Sequence, residues 1–212
     1  MNIGVIGSGD VGRTLAAGFL RHGHAVTVGT RTPAKLADWA DTHPGVAIAD
    51  VAGAAAFGEV VVLAVKGSAA LAALHGCGAD NLAGKPVIDA TNPIADVPPV
   101  NGVLTFFTSL ERSLLEELQD AFPAACLVKA FSCVGHALMV NPRFQGGQPT
   151  MFICGNDAAA KEIVRGILDQ FGWETADMGS AVSARAIEPL CMLWCIPGFL
   201  RQEWAHAFKL LR

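Results

Sequence analysis

Short apolar runs alternate with amphipathic segments along the first ninety residues. The apolar runs predict strands near residues 2–6, 25–29, 46–48, 60–65 and 86–90, and helical patterns fall between them, near 10–22, 33–42, 50–57 and 68–75. The run from Val60 to Val65 contains no polar residue, which is typical of a strand that is buried on both faces. This alternation predicts βαβ units with right-handed crossovers and therefore a parallel sheet.

The second half of the chain continues this pattern after a long, proline-containing connection at residues 92–108. Thr108 and Glu111 have the spacing of a capping box, which predicts a helix over residues 108–122. Further strands are predicted near 125–130, 150–154 and 173–177, with an irregular segment at 132–149 and a helix that begins at residue 156 or 157. Residues 181–210 are predicted to be mostly helical, with interruptions near Pro189 and at Pro197–Gly198.

The six residues after the first predicted strand read G-S-G-D-V-G, from Gly7 to Gly12. In such a motif the first glycine permits a tight turn, the second lets the backbone approach a pyrophosphate, and the third allows close helix–strand packing. The amphipathic helix that follows would offer the free N–H groups of its N-terminus to phosphate. Strand, glycine turn and helix in this order indicate a dinucleotide-binding site.

The residues after the second predicted strand distinguish NADP from NAD. NAD sites usually carry an acidic side chain at the end of this strand, where it holds the ribose 2′-hydroxyl. Here Thr30, Arg31 and Lys35 occupy the region, and the first carboxylate is that of Asp38, inside the next predicted helix. A hydroxyl, a guanidinium and an ammonium suit a 2′-phosphate, and Thr32 is placed to cap the helix. We therefore predict NADP(H) as the cofactor.

Together these patterns predict an α/β fold with a Rossmann-type, doubly wound, mostly parallel sheet and a small helical C-terminal extension. Residues 1–178 would form the NADP-binding domain, and residues 179–212 would form the extension, which closes a cleft for the hydride acceptor. The late helix is rich in tryptophan and phenylalanine, so we expect it to supply core packing and a homodimer surface.

Composition narrows the class of protein. Hydrophobic residues make up 52% of the 212 residues and mean hydropathy is +0.42, but no apolar stretch reaches the ~18 residues of a membrane span. The net charge is −4 and the basic residues do not cluster, which argues against a nucleic-acid partner. The first predicted strand begins directly after Met1 and the six cysteines lack a disulfide-framework spacing, so we expect a cytoplasmic protein without a membrane partner.

The residue types also limit the chemistry. The chain contains no tyrosine, which excludes the Tyr-x-x-x-Lys proton relay of short-chain dehydrogenases. Cys133 and His136 have a C-x-x-H spacing and Cys191 and Cys195 lie one helical turn apart, but neither pair is completed to a metal site, so core packing is favoured and no metal is expected. An acceptor that needs little acid–base help, such as a flavin, a deazaflavin or an iminium, fits these residues better.

Five further motifs follow the glycine turn in order. They are V-G-T-R-T-P-A-K at 28–35, V-I-D-A-T-N-P-I at 87–94, V-K-A-F-S at 128–132, M-F-I-C-G-N-D at 151–157 and A-R-A-I-E-P-L at 184–190. With these motifs the chain resembles the F420-dependent NADP reductase family, and the NADPH domain of the STEAP metalloreductases is similar. The resemblance covers nearly the whole chain and implies an NADP-dependent oxidoreductase.

The resemblance also implies site residues. The cofactor-binding set comprises Gly7, Ser8, Gly9, Asp10 and Val11 at the pyrophosphate, Thr30, Arg31 and Lys35 at the 2′-phosphate, Val65 and Lys66 beside the nicotinamide-side ribose, and Asn92 and Pro93 at the nicotinamide. The candidate catalytic residues are Ser132, His136 and Arg185. Ser132 stands where archaeal members that use the deazaflavin carry a histidine, which leaves the acceptor open. Arg185 could instead form an ion pair with Glu188, three residues further along a predicted helix.

The leading hypothesis is hydride transfer between NADPH and a deazaflavin- or flavin-type acceptor, with coenzyme F420 or a flavin as the co-substrate. One alternative is an NADPH-linked flavin, metal or imine reductase. A second is a non-catalytic NADP(H)-binding sensor. An enzyme should oxidise NADPH when it is given the right acceptor, whereas a sensor should bind NADPH without turnover.

Overall fold

The computed structural model describes residues 1–211 and contains one eight-stranded sheet. The strands are β1 (Asn2–Ile6), β2 (Ala25–Gly29), β3 (Val46–Ala49), β4 (Val60–Leu63), β5 (Pro86–Asp89), β6 (Cys126–Lys129), β7 (Thr150–Gly155) and β8 (Glu174–Asp177). Their spatial order is β3-β2-β1-β4-β5-β6-β7-β8. The first six strands run parallel, β7 is antiparallel to β6, and β8 is parallel to β7. The predicted mostly parallel sheet is therefore confirmed.

The order of the strands reverses beside β1. Ile3 of β1 is in register with Val26 of β2 on one side and with Val60 of β4 on the other. The chain builds outward from β1 to β3, then returns and builds outward again from β4. At such a reversal the loops after the two central strands separate, and open α/β sheets bind ligands in the resulting crevice.

Helices cover both faces of the sheet. They are α1 (Asp10–Arg21), α2 (Ala37–Asp41), α3 (Val51–Phe57), α4 (Gly67–Cys77), α5 (Ala79–Leu82), α6 (Leu114–Ala121), α7 (Ala158–Gln170), α8 (Ala184–Ile187) and α9 (Leu190–Arg201). Phe19 of α1 and Val164 of α7 belong to the apolar cluster on one face, and Leu74 of α4 and Leu118 of α6 belong to the cluster on the other. None of the helices within residues 1–211 is long and apolar enough to cross a membrane.

The helix predicted to begin at Thr108 begins five residues later. The capping box is formed by Ser113 and Glu116: the Ser113 hydroxyl accepts from the Glu116 N–H at 3.2 Å, and the Glu116 carboxylate accepts from the Ser113 N–H at 2.9 Å. Both positions have the S/T-x-x-E spacing, but a helix from Thr108 would include Leu110, which is 74% exposed. The apolar residues that can be buried follow Ser113, and this burial selects the later start.

The C-terminal residues also differ from the prediction. Helix α9 continues through Pro197 and Gly198 instead of breaking there, and it ends at Gln202, which adopts a left-handed conformation with φ of 58°. Gly198 leaves space for the Trp204 ring, which a Cβ at that position would approach to 2.2 Å. Residues 202–211 are not helical, and they fold back so that the Thr150 N–H donates to the Phe208 carbonyl at 2.9 Å.

Candidate functional site

The glycine turn has the geometry that its sequence predicts. Gly7 adopts a φ of +130°, which favours glycine, and its N–H donates to the carbonyl of Gly29 at 3.0 Å. A Cβ at Gly12 would lie 2.1 Å from the Gly7 carbonyl oxygen, whereas a Cβ at Gly9 would meet no atom of residues 1–211 within 4 Å. Gly12 therefore brings α1 against the turn, and Gly9 leaves open space at the N-terminus of α1.

Alanine substitutions should distinguish the roles of Gly9 and Gly12. Gly12→Ala should lower the melting temperature and weaken NADPH binding at least about tenfold, because the turn and α1 must move apart. Gly9→Ala should weaken binding but leave stability nearly unchanged, since its methyl group enters only the open space. Thermal unfolding and fluorescence titration with NADPH measure both effects.

Gly166→Ala is the matched control, because Gly166 lies inside α7 and a Cβ there also has open space. This variant should bind NADPH normally and gain roughly 0.5–1 kcal/mol of stability. Normal NADPH binding by Gly9→Ala would contradict the assignment of the open space to the cofactor.

One cavity lies between the glycine turn and the end of β2, and we call it the β2-side cavity. Its volume is about 390 Å³, and it is lined by Ile6, Gly7, Ser8, Gly29, Thr30, Arg31, Val51, Val65, Lys66, Ala69, Ala72, Ala73 and Gly76. The Thr30 hydroxyl donates to the Ser8 hydroxyl at 3.2 Å and accepts from the Thr32 N–H at 3.2 Å. These bonds connect the glycine turn to the loop after β2.

The cations predicted to distinguish NADP are accessible. Arg31 lines the β2-side cavity, and Lys35 follows it in a 3₁₀ turn at Pro33–Leu36; both side chains are exposed. Within residues 1–211 neither cation forms an ion pair. Thr32 stands at the N-cap position and Pro33 at the first helical position, as predicted, although the Thr32 side chain makes no capping hydrogen bond. Asp38 lies in α2, beyond the loop.

A second cavity lies on the opposite side of the glycine turn, and we call it the β5-side cavity. Its volume is about 400 Å³, and it is lined by Gly9, Asp10, Val11, Ala64, Val65, Lys66, Ala90, Asn92, Phe131, Val134, Gly135, His136 and Met139. Val65 and Lys66 line both cavities. Pro93 is buried next to Asn92, and the ammonium of Lys66 bonds to Asp96 at 2.9 Å.

The backbone after β6 is strained where it reaches the β5-side cavity. Phe131 has a left-handed φ of 61°, an uncommon conformation for a bulky residue. The next residue, Ser132, is buried and accepts a hydrogen bond at its carbonyl from the Asn92 amide at 2.9 Å. The Ser132 hydroxyl and the Asn92 Oδ1 atom are buried without a partner in residues 1–211. Strain and unpaired polar atoms cluster at functional sites.

The candidate catalytic residues do not all lie together. Ser132 contacts Asn92, and His136 lines the β5-side cavity with an exposed side chain. Arg185 lines a third cavity of about 420 Å³, together with Val103, Leu104, Thr105, Phe106, Thr108, Ser109, Leu110, Glu188, Pro189 and Met192. The structure therefore places Ser132 and His136 near the glycine turn and Arg185 elsewhere.

Arg185 pairs with a residue that its sequence spacing did not indicate. Its guanidinium donates to both carboxylate oxygens of Glu116, at 2.6 Å and 2.9 Å. The ion pair with Glu188 that the i, i+3 spacing suggested is not formed. This pairing, with further bonds from Ser113, lowers the pKa of Glu116 to about 2. Arg185 therefore fixes the position of the α6 capping box.

The most deeply buried charges belong to Asp89, Lys129 and Glu188, none of which was predicted as a site residue. The Lys129 ammonium lies 2.6 Å from an Asp89 oxygen and 2.9 Å from a Glu188 oxygen, and all three side chains are at most 2% exposed. Asp89 and Lys129 are paired residues at the ends of β5 and β6. The available signal was a charged residue ending each of two otherwise apolar strands, since a buried charge must be paired.

Four of the six cysteines are buried, and Cys126 and Cys195 are partly buried. Cys133 and Cys191 are buried, and burial raises the pKa of the Cys133 thiol to about 12. His136 is exposed, so the C-x-x-H pair does not converge. Among residues 1–211 no group of three or more histidine, cysteine, aspartate or glutamate side chains could hold a metal ion.

Known proteins resemble this chain in sequence and in fold. The family model described as NADP oxidoreductase, coenzyme F420-dependent, matches residues 2–93. The crystal structure of a protein proposed to be an F420-dependent NADP reductase, from Arthrobacter sp. FB24, is 38% identical, has a TM-score of 0.93, and aligns over 99% of both chains. An imine reductase from Myxococcus stipitatus in complex with NADP⁺ is 21% identical, with a TM-score of 0.70 over 94% of this chain and 62% of that chain, and it shares the fold.

A curated relative is a longer protein. Metalloreductase STEAP3 of Rattus norvegicus is 34% identical over 210 residues, which cover 93% of this chain but only 38% of that protein. Metalloreductase STEAP2 of Homo sapiens is 29% identical over 196 residues, and the match spans 36% of its length. The near-complete alignment with the Arthrobacter protein carries the family assignment. The chain belongs to the coenzyme F420-dependent NADP oxidoreductase family.

Proposed function

We propose that the chain binds NADP(H) across the glycine turn and transfers hydride between the nicotinamide and a flavin- or deazaflavin-type acceptor. The observation that carries this proposal is the pair of cavities, about 390 Å³ and 400 Å³, on either side of the turn. A dinucleotide consists of two nucleosides joined by a pyrophosphate. Two adjoining cavities with a helix N-terminus between them match that shape.

The residues present fit each part of the cofactor. The N-terminal N–H groups of α1 would hold the pyrophosphate in the space that Gly9 leaves open. Arg31 and Lys35 would hold the 2′-phosphate, and Asn92 would border the nicotinamide. The reduced nicotinamide supplies the hydride when it is bound, and the chain supplies orientation and excludes water.

The β5-side cavity suits an acceptor that needs little acid–base help. Its wall contains Phe131, Val134 and Met139, and His136 lies at its exposed edge. Within the described part of the chain no histidine forms an ion pair with a carboxylate. A flat redox ring can take hydride directly and draw its proton from solvent. Ser132 and His136 therefore belong to the acceptor side, and Arg185, in the third cavity, has no part at the nicotinamide.

A basic groove favours an acceptor that carries an anionic tail. The groove has a volume of about 610 Å³ and shares Asp10 and His136 with the β5-side cavity, so the two adjoin. It follows α1 and is lined by Arg13, Arg21 and His43, of which Arg13 also pairs with Asp10 at 2.7 Å. A phosphate at the end of a flavin side chain would find the guanidinium groups of Arg13 and Arg21 within the groove.

NADPH oxidation by the purified protein tests the proposal. Coenzyme F420, FMN, FAD, riboflavin and a blank without acceptor are compared at equal concentrations. We expect oxidation with F420 or FMN, and a lower KM for FMN than for riboflavin, which differs from it only by the phosphate. The Arg13→Gln, Arg21→Gln double variant should remove most of that difference, whereas Arg165→Gln, on the distant helix α7, should retain it.

Three outcomes would contradict parts of the proposal. Oxidation that requires ferric or cupric chelates would indicate a metal reductase, and oxidation that requires a cyclic imine would indicate an imine reductase. NADPH binding without consumption by any acceptor would indicate a sensor. Equal KM values for FMN and riboflavin would contradict the phosphate-binding role proposed for the groove, but not the proposed hydride transfer.

A further inference from the structure

The buried lysine at the end of β6 connects two parts of the site. We propose that Lys129 is a positioning residue, which fixes the nicotinamide-side segment Thr91–Asn92 relative to the helical segment that carries Glu188. The inference rests on the proposed function, because it assigns the nicotinamide to the β5-side cavity. Lys129 is fully buried and lines neither the β2-side nor the β5-side cavity, so it acts through its neighbours and not on a bound molecule.

Three oxygen atoms lie close to the Lys129 ammonium. It lies 2.6 Å from an Asp89 carboxylate oxygen and 2.9 Å from a Glu188 carboxylate oxygen, and it donates to the backbone carbonyl of Thr91 at 3.0 Å. Asp89 is the last residue of β5 and Thr91 follows it, whereas Glu188 lies between α8 and α9. A buried cation that is paired with two buried carboxylates holds them in one arrangement, because each alternative would leave a buried charge unpaired.

The contacts of Lys129 with Asp89 and Thr91 connect it to the β5-side cavity. The second Asp89 oxygen accepts from the Thr91 N–H at 2.9 Å and from the Thr91 hydroxyl at 2.6 Å. Thr91 is therefore held through its N–H, its carbonyl and its hydroxyl. The next residue is Asn92, whose amide donates to the Ser132 carbonyl at 2.9 Å and which lines the cavity. Movement of Thr91 would displace Asn92 from the position proposed for the nicotinamide.

The contact of Lys129 with Glu188 connects it to α6 and the third cavity. The Glu188 oxygens accept from the N–H groups of Leu114 and Leu115, each at 3.0 Å, and thus cap the N-terminus of α6. Glu188 also lines the third cavity, and Pro189 and α9 follow it. One ammonium therefore joins the strand that ends beside the nicotinamide to α9, whose Trp194 packs against Gly135 in the wall of the β5-side cavity.

The two carboxylates can be changed separately. In Asp89→Asn the new amide presents an oxygen on only one side, so it loses its bond either to Lys129 or to Thr91. In Glu188→Gln the bonds between Lys129, Asp89 and Thr91 remain. Each variant keeps one carboxylate on Lys129, so both should fold, whereas Lys129→Met risks unfolding. Lys161→Met is the matched control, because it breaks an ion pair with Asp177 on the β8 side of the sheet.

Three measurements on the full chain test the inference. They are the Kd for NADPH, amide hydrogen exchange in a peptide covering residues 90–93, and kcat with the acceptor that proves active. Asp89→Asn should raise the Kd about tenfold and speed exchange at Thr91. Glu188→Gln should change the Kd less than about twofold but lower kcat about tenfold, because α9 and the Gly135 that Trp194 packs against shift relative to the nicotinamide. The control variant Lys161→Met should match the wild type in Kd, hydrogen exchange and kcat.

The outcomes separate a positioning role from a merely structural one. A structural role predicts that both variants lose binding and kcat in proportion to their lost stability, and that result would overturn the inference. Unchanged exchange and Kd in Asp89→Asn would also overturn it. If no acceptor supports turnover by the wild type, the proposed function fails, but the exchange and Kd measurements still decide whether Lys129 holds Thr91 in place.

Discussion

Replacing Arg31 and Lys35 together by alanine is expected to weaken NADPH binding about 100-fold or more and to change NADH binding little. Each cation would donate to the 2′-phosphate, and a hydrogen bond between charged groups contributes about 1.5–3 kcal/mol. Two such bonds give at least about 3 kcal/mol, which corresponds to roughly two powers of ten in Kd. NADH carries a hydroxyl at that position and does not use either cation. Fluorescence titration with both nucleotides measures the ratio.

The matched control removes two cations at the other end of the sheet. Arg165 pairs with Glu162 and Lys209 pairs with Glu174, both far from the glycine turn in the order of strands. The Arg165→Ala, Lys209→Ala variant should keep the wild-type preference for NADPH. Equal losses for NADPH and NADH in the Arg31, Lys35 variant would refute the assignment of these residues to the 2′-phosphate.

Lys129→Met is expected to reduce the free energy of unfolding by about 3–5 kcal/mol, since it leaves two buried carboxylates without their cation. For a domain of this size the melting temperature would fall by roughly 6–20 °C. Burial alone would lower the pKa of Lys129, but Asp89 and Glu188 outweigh burial and raise it. The raised pKa therefore adds to the free energy of unfolding in full below about pH 10.4, and this addition is lost only as pH rises through the higher pKa of the folded state. Thermal and urea unfolding at neutral pH measure the loss of stability, and unfolding curves taken from about pH 9 to 12 measure the pH dependence.

A variant that also neutralises the two carboxylates distinguishes the effect of unpaired buried charge from the effect of lost packing. The triple variant Lys129→Met, Asp89→Asn, Glu188→Gln should recover much of the lost stability, because it removes the uncompensated charges together. Lys161→Met, which breaks a partly exposed pair, should cost about 1 kcal/mol or less. A loss of similar size in Lys129→Met and Lys161→Met would show that the buried network contributes no more than a surface pair.

The parts of the fold that the sequence predicted are those that local chemistry decides. The strand Val60–Leu63 is apolar throughout and could only be buried on both faces. The glycine turn was predictable because Gly7 and Gly12 are required by backbone geometry within twelve residues. The absence of a carboxylate between Thr30 and Lys35 likewise needed no knowledge of the tertiary structure.

The parts that the sequence did not predict depend on contacts between distant residues. Arg185 and Glu116 are 69 residues apart, so the spacing to Glu188 was the only local guide, and it was wrong. The start of α6 depended on which of two S/T-x-x-E patterns preceded residues that could be buried. Helix propensity alone predicted a break at Pro197, but α9 continues through it and Trp204, beyond the end of the helix, packs against Gly198.

The last strand of the sheet has a consequence for how the protein behaves at high concentration. β8 is an edge strand, and its outer N–H and C=O groups could pair with a strand from another molecule. It reads E-T-A-D, so a carboxylate stands at each end of the exposed row. Both carboxylates are paired with lysines, Glu174 with Lys209 and Asp177 with Lys161. A second β8 placed alongside would have to strip water from these charged side chains, and this cost protects the edge against self-association and aggregation.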